Sequence, residues 1–223
     1  MRQRVIVSER VYEGALSELR AVAEVHYDPT LYARRDELST LLADADGLIV
    51  RNETRVDAAL LARAERLRVV GRHGVGLDNL ELGALRRRGV RVTWAPGANA
   101  VSVAEWVMGA MLELSRRYGS LSASVAAGSW DRRAGVGSEL WGKTLGIVGL
   151  GDIGSRLARR AAAFGMRVVG HDPALHGSSF APQEFGLELL GLEELLAEAD
   201  FVSLHAPLTP ETRGLVGART LAL

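Results

Sequence analysis

The sequence predicts an α/β fold with two domains, each built on a mostly parallel sheet. Short apolar runs alternate with amphipathic stretches through the first part of the chain, and a second alternation of the same kind starts at Thr144. This alternation is typical of parallel strands joined by helices. Pro96 and Gly97 interrupt the pattern, so we predict domains over residues 1–97 and 98–223.

The first domain contains four apolar segments that predict strands. These are "VIV" (5–7), "GLIV" (47–50), "LRVVGR" (67–72) and "VRVT" (90–93). Apolar residues at helical spacing predict helices over 14–23 and 79–88. Asp78 and Asn79 stand where a helix cap is expected, and we interpret them as the cap of the second helix.

The second domain opens with residues 100–114, which are apolar nearly all round and predict a helix that is buried or shared between domains. Residues 118–142 are rich in Gly, Ser and Arg and are predicted to be irregular. The elements that follow are strands at 144–149, 166–172 and 201–207, with helices from Asp152 and over 193–199.

Composition and charge exclude several classes of function. Lys plus Arg and Asp plus Glu both number 27, so no basic excess indicates a nucleic-acid partner. Cysteine is absent, and no His, Asp or Glu cluster has ligand spacing, so we expect no metal site. Apolar stretches are too short to span a membrane or to form a signal peptide, so we expect no membrane partner. We therefore expect a cytoplasmic protein.

Two phosphate-binding signatures lie end to end between residues 137 and 154. Residues 137–144 spell G-x-x-x-x-G-K-T, the pattern of a P-loop. In a P-loop the strand precedes the glycines and a helix follows Lys-Thr, whereas here Lys143-Thr144 leads into a strand. We therefore interpret this match as a loop, with Lys143 at the exposed start of the strand.

The second signature has the context that dinucleotide binding needs. Gly149, Gly151 and Gly154 follow a predicted strand and open a predicted helix. In this motif the glycines permit a tight turn, close approach of pyrophosphate, and packing of the helix on the strand. Asp172 lies 18 residues after Gly154, at the end of the next strand. A carboxylate there favours NAD over NADP. The alternative is an ordinary glycine turn with a capping Asp.

Several segments of this chain together resemble one enzyme family. They are "GRHGVGLDNLELGALRRRGVRVTWAPGANAVSVAEW", "ELWGKTLGIVGLGDIG", "GHDP" and "VSLHAPLTPETRGLVG". They are similar to the D-2-hydroxyacid dehydrogenases, in particular the D-3-phosphoglycerate dehydrogenase and hydroxypyruvate reductase branch. The resemblance implies a flavodoxin-like substrate domain (1–97), a Rossmann NAD-binding domain (98–223), and hydride transfer between NAD and a 2-hydroxy or 2-oxo acid. It is also compatible with a homodimer through the helix at 100–114.

The resemblance also implies positions for the ligands. The residues expected at the substrate are Arg51, Gly74, Val75, Gly76 and Asn99. Those expected at NAD are Val75, Val103, Gly149, Gly151, Asp152, Ile153, Gly154, Asp172, Ala206 and Pro207. Arg51 would grip an anionic group, although a solvent-facing Arg51 is the alternative, and Glu53 adds a negative charge nearby. His205 is expected to be structural.

In the same family the catalytic Arg, Glu and His follow the equivalent of "LVGARTLAL", where this chain ends. We therefore expect no catalytic residue within these 223 residues and a Rossmann sheet of about four strands with an unpaired edge. The chain alone is expected to be inactive and poorly stable. A non-catalytic NAD-binding module is the alternative function. The substrate stays open among 3-phosphoglycerate, hydroxypyruvate, glyoxylate and D-lactate-type acids.

Overall fold

The chain divides into two units by its contacts, the first ending at Ala98 and the second beginning at Asn99. The structure is a computed structural model, and it describes residues 2–176, 184 and 186–223. Both units are α/β, and each has a sheet in which every pairing is parallel.

The first unit has a five-stranded sheet in the order β2-β1-β3-β4-β5. Its elements are β1 (Arg4–Val7), α1 (Glu13–Val22), β2 (Glu24–Tyr27), α2 (Arg35–Leu41), β3 (Gly47–Val50), α3 (Ala58–Leu61), β4 (Val69–Arg72), α4 (Leu82–Arg87) and β5 (Arg91–Thr93). The central strands bury Ile6, Leu48 and Val70, which pack on helical residues such as Leu38 and Leu85. Because all strands of this sheet are parallel, their carboxyl ends lie at the same edge of the sheet.

The second unit has a four-stranded sheet in the order β8-β7-β6-β9 among the described residues. Its elements are α5 (Ala100–Arg116), α6 (Tyr118–Ala126), β6 (Thr144–Val148), α7 (Asp152–Ala163), β7 (Arg167–His171), β8 (Glu188–Leu189), α8 (Leu192–Glu198) and β9 (Phe201–Leu204). Leu145 and Ile147 of β6 are fully buried and share a core cluster with Leu157 of α7 and Met108 of α5.

The prediction that residues 118–142 are irregular is wrong for the first part of that range. Arg117 takes the left-handed conformation (φ 54°) and ends α5, and α6 begins at Tyr118. The Glu113 carboxylate accepts the Gly119 N–H at 3.1 Å, which satisfies a donor in the first turn of the new helix. Ala and Leu in this segment have high helix propensity and offset the lower propensity of Gly and Ser.

Three further elements of the first unit were not predicted: β2, α2 and α3. The "EVHY" segment of β2 has one apolar aliphatic residue, yet it pairs in parallel register with β1 from Arg4–Glu24 to Val7–Tyr27. The second predicted helix begins at Leu82 and not at residue 79. Among the described residues, no helix is long and apolar enough to cross a membrane.

Candidate functional site

The turn after β6 brings the carboxyl ends of three strands together. Gly149 has φ +91°, a conformation that side chains other than glycine rarely adopt. A Cβ on Gly149 would lie 2.7 Å from the carbonyl carbon of His205 and 2.8 Å from the nitrogen of Ala206. The Gly149 N–H donates to His171 O at 2.9 Å. Glycine is therefore required at this position, where the ends of β7 and β9 meet the turn.

Gly154 and Gly151 have opposite surroundings. A Cβ on Gly154 would overlap the carbonyl oxygen of Gly149 and would lie 3.2 Å from Cγ2 of Ile147, so glycine lets α7 approach the strand and turn. A Cβ on Gly151 would meet no atom within 4 Å. The space at Gly151 is therefore open, as a turn that receives a phosphate requires.

The first turn of α7 adds favourable electrostatics to this open space. Gly151 is the residue before the helix, and no side chain caps the helix there. The N–H groups at the start of the helix carry positive partial charge and favour an anion. Asp152 and Ile153 stand in this first turn, with Asp152 exposed and Ile153 partly buried.

Asp172 is bound to the same turn through its carboxylate. Its Oδ2 accepts the Leu150 N–H at 2.9 Å, and its Oδ1 accepts the Ala174 N–H at 3.0 Å. The second contact is the local turn that the alternative interpretation of this residue anticipated. The first ties the end of β7 to the glycine turn. A carboxylate oxygen can accept more than one hydrogen bond, so Asp172 keeps acceptor capacity for a hydroxyl group.

The end of β9 forms the other side of the turn. The His205 N–H donates to Val148 O at 2.7 Å, and its ring Nε2 lies 2.9 Å from Ser203 Oγ. Burial lowers the pKa of His205, which favours the neutral ring. Ala206 and Pro207 follow, and Pro207 O accepts the Thr212 hydroxyl at 2.6 Å. These contacts fit the structural role expected for His205.

Asn99 and Val103 lie at the start of α5. Asn99 is the residue before the helix, and the Val103 N–H donates to its carbonyl oxygen at 2.9 Å. The buried face of α5 includes Ala104 and Met108, which share a core cluster with Leu157 of α7. Glu105 of α5 lies 3.3 Å from the guanidinium of Arg160 in α7.

The segment with the P-loop pattern is built differently from the glycine turn. Lys143 Nζ lies 2.9 Å from Asp200 Oδ1, and the Thr144 N–H donates to Asp200 Oδ2 at 2.9 Å. These contacts are at the start of β6, at the opposite end of the strand from Gly149. Lys143 and Thr144 therefore hold strands β6 and β9 in register.

In the first unit, the turn after β3 is organised around a buried carboxylate. Glu9 is 3% exposed. Its Oε1 accepts the N–H groups of Arg51 and Thr54 at 2.8 and 2.9 Å. Its Oε2 accepts those of Asn52 and Glu53, both at 2.9 Å. Burial by itself would raise the pKa of Glu9, but these N–H donors outweigh burial and lower it.

Asn79 fastens the same turn from its other side, so the prediction that Asn79 caps a helix is wrong. Its Nδ2 donates to Thr54 O at 2.8 Å and to Arg51 O at 3.1 Å. The residue before α4 is instead Glu81, without a side-chain cap. The side chain of Asn79 satisfies two carbonyl groups of a turn whose N–H groups are all directed at Glu9.

Arg51 lines an open cavity of about 580 Å³ within the first unit. The other lining residues are Arg10, Val11, Tyr12, Glu13, Tyr27 and His73. They lie at or just after the carboxyl ends of β1, β2, β3 and β4, which is where open parallel sheets bind ligands. The Glu53 side chain is not part of this lining and accepts the Asn52 Nδ2 group at 2.9 Å.

The loop Gly74-Val75-Gly76 follows β4. The His73 N–H donates to Val50 O at 2.8 Å, and Gly74 O accepts the Ala95 N–H at 3.0 Å. The Arg72 side chain lies directly over Gly74, with Nη1 donating to His73 O at 3.2 Å. Arg72 was not among the residues predicted for the site. Because it ends a strand next to a glycine loop, its position in the sequence could have indicated it.

The described residues contain no group of three or more His, Cys, Asp or Glu that could hold a metal ion.

Known proteins match both the second unit and the chain as a whole. A family model described as "D-isomer specific 2-hydroxyacid dehydrogenase, NAD binding domain" matches residues 108–223. The chain is 41% identical over 221 residues to the D-3-phosphoglycerate dehydrogenase of Methanocaldococcus jannaschii, which covers 99% of this chain and 41% of that protein. It is 46% identical over 218 residues to the D-3-phosphoglycerate dehydrogenase of Mycobacterium tuberculosis, covering 98% of this chain and 40% of that protein.

A solved structure bears on the cofactor. The NAD⁺-bound 3-phosphoglycerate dehydrogenase of Entamoeba histolytica superposes with a TM-score of 0.79 at 28% identity, covering 100% of this chain and 68% of that chain. NAD is therefore the cofactor of this domain. The chain spans about 40% of the length of the curated relatives described above.

Proposed function

The chain belongs to the D-isomer specific 2-hydroxyacid dehydrogenase family, and we propose that its protein transfers hydride between NAD and a D-2-hydroxy or 2-oxo acid of the 3-phosphoglycerate or hydroxypyruvate type. The observation that carries this proposal is the glycine turn after β6. It combines open space at Gly151, an uncapped helix start, and the Asp172 carboxylate. When bound, NAD supplies the hydride acceptor or donor.

We propose that the second unit holds the cofactor. The N–H groups at the start of α7 would bind the pyrophosphate, with Asp152 and Ile153 in that first turn. Asp172 would accept a ribose hydroxyl and repel a 2′-phosphate. The remaining residues proposed at NAD are Gly149, Gly154, Ala206 and Pro207 around the turn, with Val75 and Val103.

We propose that the first unit, with the flavodoxin-like strand order β2-β1-β3-β4-β5, is a substrate domain. The N–H groups of Gly74, Val75 and Gly76 would bind the substrate carboxylate, and Asn99 is also proposed at the substrate. Arg51 would bind the anionic group at the other end of the substrate. Its guanidinium has no hydrogen-bond or ion-pair partner among the described residues, which leaves its donors available.

We also propose that the protein is a homodimer through α5. The side of this helix away from the core carries Trp106 and Leu114, each 73% exposed. Large apolar side chains at this exposure on one helix are typical of protein interfaces. Trp106→Glu should convert a dimer to a monomer in light scattering, whereas a wild-type monomer would rule the proposal out.

Nicotinamide fluorescence of the purified 223-residue chain tests the cofactor proposal. We expect NADH to bind and NADPH to bind at least about tenfold more weakly, because the Asp172 carboxylate opposes the 2′-phosphate. Equal affinity for the two cofactors would contradict the role of Asp172. No binding of NADH would contradict the role of the turn.

Oxidation of NADH after addition of hydroxypyruvate or 3-phosphohydroxypyruvate tests the reaction. A protein that contains the catalytic Arg, Glu and His of the family is expected to turn over both acids. We expect the phosphorylated acid to react faster. Binding of NADH without turnover is expected of this chain alone. It would favour the second candidate, an NAD-binding module without catalysis, only if a protein that also contains the catalytic Arg, Glu and His shows the same result.

A further inference from the structure

We propose that Arg10 is a second phosphate-recognising residue beside Arg51, and that the buried Glu9 carboxylate is the positioning residue that holds both in place. The inference rests on the proposed function, because it concerns the end of the substrate that Arg51 is proposed to bind. It adds two residues, Arg10 and Glu9, that neither the family resemblance nor the comparisons assigned.

Glu9 joins two segments that are far apart in the sequence. It belongs to the segment after β1, and its carboxylate accepts four backbone N–H groups from residues 51–54 after β3. The hydroxyl groups of Ser8 and Thr54 lie 2.8 Å apart and add a second link between the same segments. Each segment is therefore fixed against the other by buried and part-buried hydrogen bonds, which are costly to leave unmade.

The two arginines are placed by this link. Arg10 directly follows Glu9, and Arg51 is the first residue whose N–H group Glu9 accepts. Both side chains line the same cavity, together with Tyr27 and His73. A shift of the turn after β3 would move Arg51 relative to Arg10, so the separation of the two guanidinium groups depends on Glu9.

The two guanidinium groups remain available for a ligand. Neither has a hydrogen-bond or ion-pair partner within the described part of the chain. Other arginines of this unit are neutralised: Arg34 lies against Asp28 and Glu37, and Arg35 lies 2.5 Å from Asp57. Two unpaired guanidinium groups facing one cavity match a doubly charged phosphate better than a singly charged carboxylate.

The remaining charges at the cavity are consistent with an anion. Glu13 is the one acidic residue of the lining, and its carboxylate lies 2.8 Å from the guanidinium of Arg20. The ten-residue helix α1 begins at the cavity, and no side chain caps its first turn. Its N–H groups therefore add positive partial charge on the same side as Arg10.

Calorimetric titration of the chain with 3-phosphoglycerate and with D-glycerate tests the proposal, since the two ligands differ only in the phosphate. We expect Arg10→Gln to weaken 3-phosphoglycerate binding about tenfold and to leave D-glycerate binding unchanged. Arg51→Gln should have at least the same effect. Arg63→Gln is the matched control, because Arg63 is exposed in the same unit and lies outside the cavity.

The positioning role of Glu9 needs a readout that stability alone would not change. At a temperature where Glu9→Gln is fully folded by circular dichroism, we expect its affinity for 3-phosphoglycerate to fall about tenfold, with NADH affinity unchanged. The amide resonances of residues 51–54 should shift at the same time. A Glu9→Gln protein that binds 3-phosphoglycerate like the wild type would show that Glu9 only stabilises the fold.

The outcomes separate this inference from the proposed function. Wild-type affinity of Arg10→Gln for 3-phosphoglycerate would overturn the inference and leave the role of Arg51 standing. An equal loss for Arg63→Gln would also overturn it, because general surface charge would then explain binding. If the wild type binds both ligands equally, the phosphate itself is not recognised. That result would overturn the inference and the 3-phosphoglycerate type, and it would leave the hydroxypyruvate type of the proposed function standing. The Arg10→Gln arm remains decisive if Glu9→Gln does not fold, since Arg10 is exposed.

Discussion

The two units differ in what the backbone N–H groups bind in the turns at the carboxyl ends of their central strands. After β6, the glycine turn has an uncapped helix start and open space at Gly151. After β3, the N–H groups of residues 51–54 all converge on the carboxylate of Glu9. Both turns therefore bring together N–H groups that favour an anion. Only the turn in the second unit has space for an anion that comes from a diffusible ligand.

The difference assigns distinct tasks to the two turns. The turn after β3 gives all its N–H groups to a carboxylate from the segment after β1, so it is rigid and presents side chains, in this case Arg51. The turn after β6 gives only the Leu150 N–H to a carboxylate, that of Asp172, and its uncapped helix start presents backbone N–H groups to a ligand. Two kinds of substitution test this difference. One adds a side chain in the glycine turn after β6, and the other removes the Glu9 carboxylate from the turn after β3.

Gly154→Ala should have the largest effect. The new Cβ would overlap the Gly149 carbonyl oxygen, which is backbone and cannot move without shifting the turn. We expect a loss of about 3 kcal/mol of unfolding free energy and no measurable NADH binding. Urea unfolding and nicotinamide fluorescence measure the two effects.

Gly151→Ala is the matched control, because its Cβ would meet nothing within 4 Å. It should keep wild-type stability and lose NADH affinity, since the added methyl group takes ligand space. Should Gly151→Ala bind NADH like the wild type, the open space at this position is not where the pyrophosphate lies.

Glu9→Gln should have the next largest effect, because it places an amide among four N–H donors. A glutamine offers one acceptor oxygen, so two donors are left buried without a partner. We expect a loss of about 3 kcal/mol. The measurement is urea unfolding at neutral pH. A variant within about 0.5 kcal/mol of wild type, which is the scatter of neutral surface changes, would mean that the turn relaxes without Glu9.

The same carboxylate predicts a pH dependence. The folded pKa of Glu9 is lowered below its ordinary value of 4.5. The stability it contributes is therefore fully present above the unfolded pKa and is lost as pH falls through the folded pKa. Unfolding free energy measured from neutral pH down into this range should fall less steeply for Glu9→Gln than for wild type. Parallel curves would contradict a lowered pKa.

The sequence predicted β1, β3, β6 and β7 because their apolar residues form short continuous runs that are buried on both faces. It predicted the glycine turn because strand, glycines and helix occur in one local order. The strand β2 escaped prediction because its stability comes from parallel pairing with β1 and not from its own composition.

The role of Glu9 had no signal in the sequence. Its partners are 42 to 45 positions away, and they meet only when β1 and β3 pair in register. Asn79 shows the same limit, since its residue type favours a helix cap and its actual partners are carbonyl groups 25 and 28 positions away. Local pattern finds sites that are built locally, and it misses side chains whose partners are defined by the sheet.

Asp172→Asn should have an intermediate effect that falls on the cofactor and not on the fold. The asparagine Oδ1 can keep one of the two backbone N–H contacts, so we expect a stability loss of about 1 kcal/mol. NADH affinity should fall, and the preference for NADH over NADPH should shrink about tenfold, because the negative charge is gone. Fluorescence titration with both cofactors measures this. An unchanged preference for NADH over NADPH would show that another residue distinguishes the ribose 2′-hydroxyl from the 2′-phosphate.

Lys143→Met should have the smallest effect, and it tests whether the P-loop pattern has any function. Lys143 is 44% exposed and its partner Asp200 is 38% exposed, so solvent screens the pair and its loss should cost less than about 1 kcal/mol. The second contact of Asp200, with the Thr144 N–H, remains in the variant. A P-loop lysine would instead be indispensable for nucleotide binding. We therefore expect NADH affinity to stay at the wild-type value and Mg-ATP to bind neither protein. Mg-ATP binding that disappears in Lys143→Met would show that the start of β6, and not only its end, receives phosphate.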